Sequence, residues 1–269
     1  VGQGNVGKTT LIDALSRKKS KARATKRSVA TDGIDIRRFA IKSDLEERVT
    51  FSFWDFAGQE VYYNTHHFFL SDHAVYLVVF NFCNFECSRV EYWLQSISCR
   101  SKNAPVILVG THTDAKHFSQ ELEDKVTGII RFKFSKFKNI HACVAVSSLT
   151  GRGLEDVRSH IVEVALREKL MPYEVPRSFL GVEAKMKGVQ SAGVSTLRRE
   201  EFERIAEEQG VVAEVIADLV AFLVKRAMIL YFPEVDDGVF ITDPQWITHL
   251  FASIVTVKGN FVKTGILRR

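Results

Sequence analysis

Paired cysteines, long apolar runs and low-complexity tracts are all missing from this 269-residue chain. Its four cysteines, Cys83, Cys87, Cys99 and Cys143, lack the C-x-x-C spacing of a structural zinc site or redox pair. They read as free thiols in a reducing, cytoplasmic setting, with Cys143 a small core residue inside an apolar run. No apolar run approaches the ~20 residues that cross a bilayer. The richest, Ala74 to Phe80, ends at Asn81, so no transmembrane segment is expected. No secretory signal opens the chain, which begins at Val1 and reads as an internal piece. A diffuse basic surface is also lacking: the net charge of +5 is more than accounted for by Arg17, Lys18, Lys19, Lys21, Arg23, Lys26 and Arg27. That stretch reads as a solvated loop or a contact for an acidic membrane or phosphate, and no specific nucleic-acid partner is expected.

What is present suits two ordinary globular domains, with 46% hydrophobic and 26% charged residues. Ile34 and Ile36 alternate with polar residues, as do Val49, Phe51 and Phe53, predicting two half-buried strands joined around Ser43 to Arg48. Ala74 to Phe80, Pro105 to Val109 and Ala142 to Val146 are continuously apolar, which predicts strands covered on both faces. Amphipathic segments at Ser88 to Cys99, Gln120 to Phe134 and Leu154 to Leu166 alternate with them, giving an α/β fold with a doubly covered, mostly parallel sheet. Pro172 and Pro176 mark a boundary, so domains are expected at 1–169 and 178–269 with a linker at 170–177. Beyond it, a loose capping signal at Thr196 and Glu200 precedes a stripe of Phe202, Ile205 and Ala206, and a second stripe runs from Val212 to Ala227. Two short strands, Met228 to Phe232 and Val239 to Thr242, flank Asp237-Gly238, and Pro244 opens a last helix with Trp246, Ile247, Leu250 and Phe251. The order is winged-helix-like, but Glu214 and Asp218 on the would-be recognition helix oppose DNA binding.

Gly2-Gln3-Gly4-Asn5-Val6-Gly7-Lys8-Thr9, followed by Thr10 on a helix, fits G-x-x-x-x-G-K-[ST]. Such a turn curls backbone N–H groups around phosphate oxygens, while the lysine neutralises charge and the hydroxyl reaches Mg²⁺. Of the apolar strand expected before it, only Val1 is present. Asp55, in Trp54-Asp55-Phe56-Ala57-Gly58-Gln59-Glu60, closes an alternating strand and is expected to hold Mg²⁺ through water. Gly58 would turn its N–H to a γ-phosphate, and Gln59 would orient the attacking water as the glutamine of Ras-like enzymes does. Thr31, with Thr25 and Ser28 as competitors, is the switch threonine expected to sense the metal. Thr111-His112-Thr113-Asp114 stands where GTPases read N-K-x-D, so Asp114 should accept two bonds from guanine, unless it is merely the N-cap of the next helix. Ser147 and Ser148 stand where Ras-like proteins carry S-A-K near the base.

With His66-His67-Phe68-Phe69, Leu230-Tyr231-Phe232 and Thr242-Asp243-Pro244-Gln245-Trp246, these motifs resemble the Roco proteins over nearly the whole chain. In that family a Ras-of-complex (Roc) GTPase domain precedes a C-terminal-of-Roc (COR) domain. The resemblance implies a cytoplasmic GTP/GDP switch that uses Mg²⁺, hydrolyses GTP slowly, dimerises through a full COR domain and meets protein effectors. Leucine-rich repeats upstream and a kinase downstream are common in it. Glutamine at Gln59, where leucine-rich-repeat kinases can have arginine, favours hydrolysis. A binding scaffold without turnover and an ATPase are the competing readings.

Overall fold

The computed structural model describes residues 1–17, 31, 33–42, 48–59, 63, 69–71, 73–167, 175–226, 228–235 and 238–255. The basic stretch beyond Arg17, Thr25, Ser28, the 43–47 connection, most of the segment after Gln59 with His66-His67-Phe68, the core of the linker and Asp237 lie outside them. The chain divides into two compact units, Val1–Met171 and Pro172–Arg269.

In the first unit, α1 (Lys8–Ser16) follows the glycine turn, and β1 (Ile34–Lys42) and β2 (Arg48–Phe56) form an antiparallel ribbon. Then come β3 (Tyr76–Asn81), α2 (Val90–Arg100), β4 (Val106–Thr111), α3 (Gln120–Lys133), β5 (Ile140–Ala145) and α4 (Leu154–Arg167). The strands β3, β4 and β5 pair in parallel in that order. Val1 lies along the free edge of β3, its amino group donating to the Leu77 carbonyl and its own carbonyl accepting from Val79, both at 2.9 Å.

Period-two alternation sorts these strands between two cores. Val79, Ile107 and Val109 face one side with Leu11 and Leu15 of α1 and Val157 and Ile161 of α4. Val78, Phe80, Val106 and Leu108 face the other, against Trp93, Leu94 and Ile97 of α2 and Val126 and Ile130 of α3. All six residues of β4 are buried, as its uninterrupted apolar run requires. Burying side chains of this size stabilises the fold by about 1.5–3 kcal/mol each. The edge strand β5 corrects the expectation of a doubly buried segment: Val144 is buried, Ala142 half-buried and Cys143 exposed. Among the described residues no strand pairs with the outer side of β5, and Cys143 is exposed rather than in the core. Arg158 on α4 donates to the Ala14, Leu15 and Arg17 carbonyls, satisfying the last backbone acceptors of α1.

The second unit holds α5 (Arg177–Ser191), β6 (Thr196–Arg198), α6 (Arg199–Glu208), α7 (Ile216–Lys225), β7 (Leu230–Phe232), β8 (Val239–Ile241) and α8 (Pro244–Val255). Its antiparallel sheet has the order β6-β8-β7, completing a winged-helix-like α+β arrangement. The sequence reading did not identify α5 or β6. Thr196 lies in β6 rather than at a cap, and the Glu201 carboxylate accepts from the Arg198 N–H at 3.0 Å to start α6. The stripe from Val212 shortens to α7, because Val212 is exposed while Leu219 and Leu223 are fully buried. Phe202 is fully buried and stacks on Phe240 with ring centroids 4.1 Å apart. Phe202→Ala should therefore destabilise this unit by about 3–5 kcal/mol, read as a lower urea midpoint for its unfolding.

Candidate nucleotide site

The turn that precedes α1 is built for an anion. Gly7 occupies the N-cap at φ 86°, in the left-handed region that a side chain rarely adopts, and Asn5 also has positive φ at 62°. No side chain caps α1 and no acid lies in its own first turn, so its leading N–H groups are left for a ligand. Gly58 presses on this turn from the end of β2. A Cβ added there would lie 2.5 Å from Gly4 N and 2.6 Å from its Cα, so only glycine fits.

Lys8 is 9% exposed and curls back over the turn, donating to the carbonyls of Gly2 at 2.9 Å and Gln3 at 2.8 Å. Burial lowers its pKa from the ordinary 10.5 to about 8, a fall that the Asp55 carboxylate opposes. Thr9, the second residue of α1, meets β2: its Oγ1 donates to Asp55 Oδ2 at 2.5 Å and lies 2.9 Å from Thr31 Oγ1. Thr31 Oγ1 donates to the same carboxylate oxygen at 3.2 Å. Asp55 is 2% exposed, and its second oxygen, Oδ1, is buried with no hydrogen-bond partner among the described residues. A buried carboxylate oxygen left in this way is costly unless a ligand meets it. Hydroxyl and carboxylate oxygens are the donors that suit a hard cation such as Mg²⁺.

A second part of the site sits at the carboxyl end of β4. The Thr111 side chain is 3% exposed, and its hydroxyl lies 2.7 Å from the Val6 carbonyl and 2.9 Å from that of Phe80. It thus ties the glycine turn to β3 and β4 from behind. His112, at φ 65°, sets its ring beside Gly7. Asp114 is exposed and accepts from the buried Ser147 Oγ at 2.6 Å. Ser147 Oγ in turn accepts from the Thr150 N–H at 3.0 Å, so the loop after β5 holds the carboxylate in place. Asp114 is not a helix cap, since Ser119 caps α3 by accepting from Leu122 N. Ser148 is half-buried beside Ser147, and Thr10 is half-buried on α1. Gln59 is exposed directly after Gly58.

One residue escaped sequence reasoning. Tyr63 is buried, packs between Tyr92 and Trp93 of α2, donates to Gln3 Oε1 and lies 3.4 Å from the Gly58 carbonyl. It links the segment after Gln59 to the glycine turn, and no motif marks it. A cavity with Lys102, Lys136, Lys138 and Arg167 in its wall lies at the opposite, amino-terminal ends of β4 and β5 and is separate from this site.

Fold and site together define the class as a Ras-like P-loop GTPase fold followed by a winged-helix-like segment. The family model described as "Ras of Complex, Roc, domain of DAPkinase" matches residues 1–114. The probable serine/threonine-protein kinases pats1 and roco5 of Dictyostelium discoideum are 37% and 34% identical to the chain, each over 99% of it. The chain spans 9% and 11% of their lengths. A Methanosarcina barkeri Roco2 RocCORdC structure bound to GDP superposes with a TM-score of 0.77 and 26% identity, over 100% of this chain and 78% of that one. The chain belongs to the Roco family, as a Roc GTPase domain followed by part of a COR domain.

The Lys8 burial makes a pH prediction for the nucleotide-free protein. Folding lowers this pKa, so below about 8 the lysine is charged in both states and its desolvation penalty is fully present. As pH rises toward 10.5 the native state has already lost the proton and the penalty fades. Lys8→Met should therefore raise the urea midpoint of nucleotide-free protein at pH 7, and this gain over wild type should shrink steadily between pH 8 and 10.5.

Proposed function

We propose that this chain binds GTP and GDP with Mg²⁺ and hydrolyses GTP slowly, as the switch of a larger multidomain protein. On this reading the Roc domain occupies residues 1–169, a linker 170–177 and the COR segment 178–269. The observation that carries it is the meeting of Thr9, Thr31 and Asp55 oxygens beside Lys8, with Asp55 Oδ1 buried and unpartnered. Supporting it is the braced Asp114, joined to the same turn through Thr111 and Val6.

The backbone of Gly2 to Thr10 would cradle the phosphates, and Lys8 would exchange its two carbonyl partners for β- and γ-phosphate oxygens. Thr9, Thr31 and, through water, Asp55 would hold Mg²⁺, which would supply positive charge against the phosphates. Gly58 would offer its N–H to the γ-phosphate, and the exposed Gln59 would orient water for attack. Ser147 leaves most of the Asp114 accepting capacity for the two N–H donors of guanine, which adenine does not present. His112 and Ser148 would line the base side. Gain or loss of the γ-phosphate contacts would reorder residues 18–33 and 56–71. Dimerisation through a complete COR domain and protein effectors belong to the same reading.

Single-turnover hydrolysis tests the enzyme. Gln59→Leu should slow GTP cleavage at least about tenfold while leaving GDP affinity unchanged, in line with the weight of a water-positioning group. Cleavage no faster than background in wild type would make the chain a nucleotide-binding scaffold. Competition tests the base: ATP should fail to displace labelled GDP where GTP succeeds. Asp114→Ala should weaken GDP at least about tenfold, the worth of one hydrogen bond to a charged group.

A further inference from the structure

A cluster unconnected with the nucleotide site lies between the edge strand and the last helix of the first unit. His141 is the second residue of β5, and His160 and Glu163 are three apart on α4, so they share one helical face. Glu163 Oε2 lies 3.4 Å from His141 Nε2 and 3.5 Å from His160 Nδ1. One ligand atom from each of the three residues lies within 4.8 Å of the others. The two imidazoles meet edge to face, with centroids 5.3 Å apart and planes at 78°. His160 Nδ1 is buried and makes no hydrogen bond to any described residue, an arrangement that leaves a lone pair or a proton unsatisfied.

The two Glu163 separations suit a shared cation. A hydrogen-bonded histidine–carboxylate pair closes to about 2.7–3.2 Å, shorter than either contact. Zinc bonds of about 2.0–2.2 Å to nitrogen and oxygen at the tetrahedral angle place neighbouring donors about 3.4 Å apart, which both Glu163 contacts match, and all three ligand atoms lie within 4.8 Å of one another. Two imidazoles with one carboxylate favour zinc-class ions over Mg²⁺ or Ca²⁺. The Glu163 side chain is 57% exposed, so its side of the cluster opens to solvent, where water would complete a four-coordinate shell.

We propose that His141, His160 and Glu163 form a zinc-class divalent cation site that clamps β5 to α4. The site uses neutral imidazoles and an ionised carboxylate.

Cobalt reports the site directly. Chelator-treated chain in excess Mg²⁺, titrated with Co²⁺, should develop the visible bands of a four-coordinate nitrogen and oxygen site, saturating at one equivalent and bleached by Zn²⁺. Glu163→Gln should weaken Co²⁺ by about tenfold or more, and His160→Ala should abolish the bands while circular dichroism shows the fold retained. Excess Mg²⁺ keeps the Thr9 and Asp55 oxygens from contributing, and the readout does not depend on nucleotide binding. Wild-type chain without such bands would overturn the proposal. So would bands that persist unchanged in both variants, including sulfur charge-transfer bands from the exposed cysteines.

Discussion

Asp55 is a carboxylate taken almost entirely out of water, and the rest of the carboxyl edge is arranged around it. Two threonine hydroxyls converge on one of its oxygens while the other has no partner among the described residues. A group in that condition costs stability in the empty protein, and the cost is tolerated where a ligand recovers it. Lys8 stands in the same condition with opposite sign, its ammonium pressed against backbone carbonyls and its pKa pulled down by burial. On the proposed reading, a buried cation and a buried anion at the mouth of one glycine turn would receive a metal-bound polyphosphate.

Backbone geometry turns those charges into a site. Gly58 lets β2 close on Gly4, and Thr111 pins the Val6 carbonyl from below. The turn is therefore held from both sides by strands whose positions are fixed by two fully packed cores. Asp114 inherits its position from the same framework, because the strand β4 that ends in Thr111 also launches it and the loop after β5 supplies Ser147. On the proposed reading, phosphate and base would be held at the carboxyl edge of one parallel sheet, as doubly wound folds favour.

Much of this was legible in residue order. The continuous apolar runs located β3 and β4 because a doubly covered strand has no polar face, and the G-x-x-x-x-G-K-[ST] spacing located the turn because only glycine tolerates its angles. Cys143 was misread because a local apolar run does not say whether a strand is central or at the edge. The short β6 was invisible because three residues carry too little periodicity, and the α6 cap lies at Arg198, a residue type with no capping preference. Tyr63 could not be found at all, since its link to Gln3 joins residues 60 positions apart and exists only once α2 is packed. The histidine and glutamate cluster has the same character: two residues share a helix face, but the third arrives from a strand.

The central claim is that one guanine nucleotide spans Lys8, Asp55 and Asp114. A crystal structure of the chain grown with GDP and Mg²⁺ examines it directly. The account predicts phosphates within the turn from Gly2 to Thr10, a metal ligated by Thr9, and the guanine N1 and N2 hydrogen-bonded to Asp114. A nucleotide seated elsewhere, or one whose base leaves Asp114 bonded only to Ser147, would contradict it.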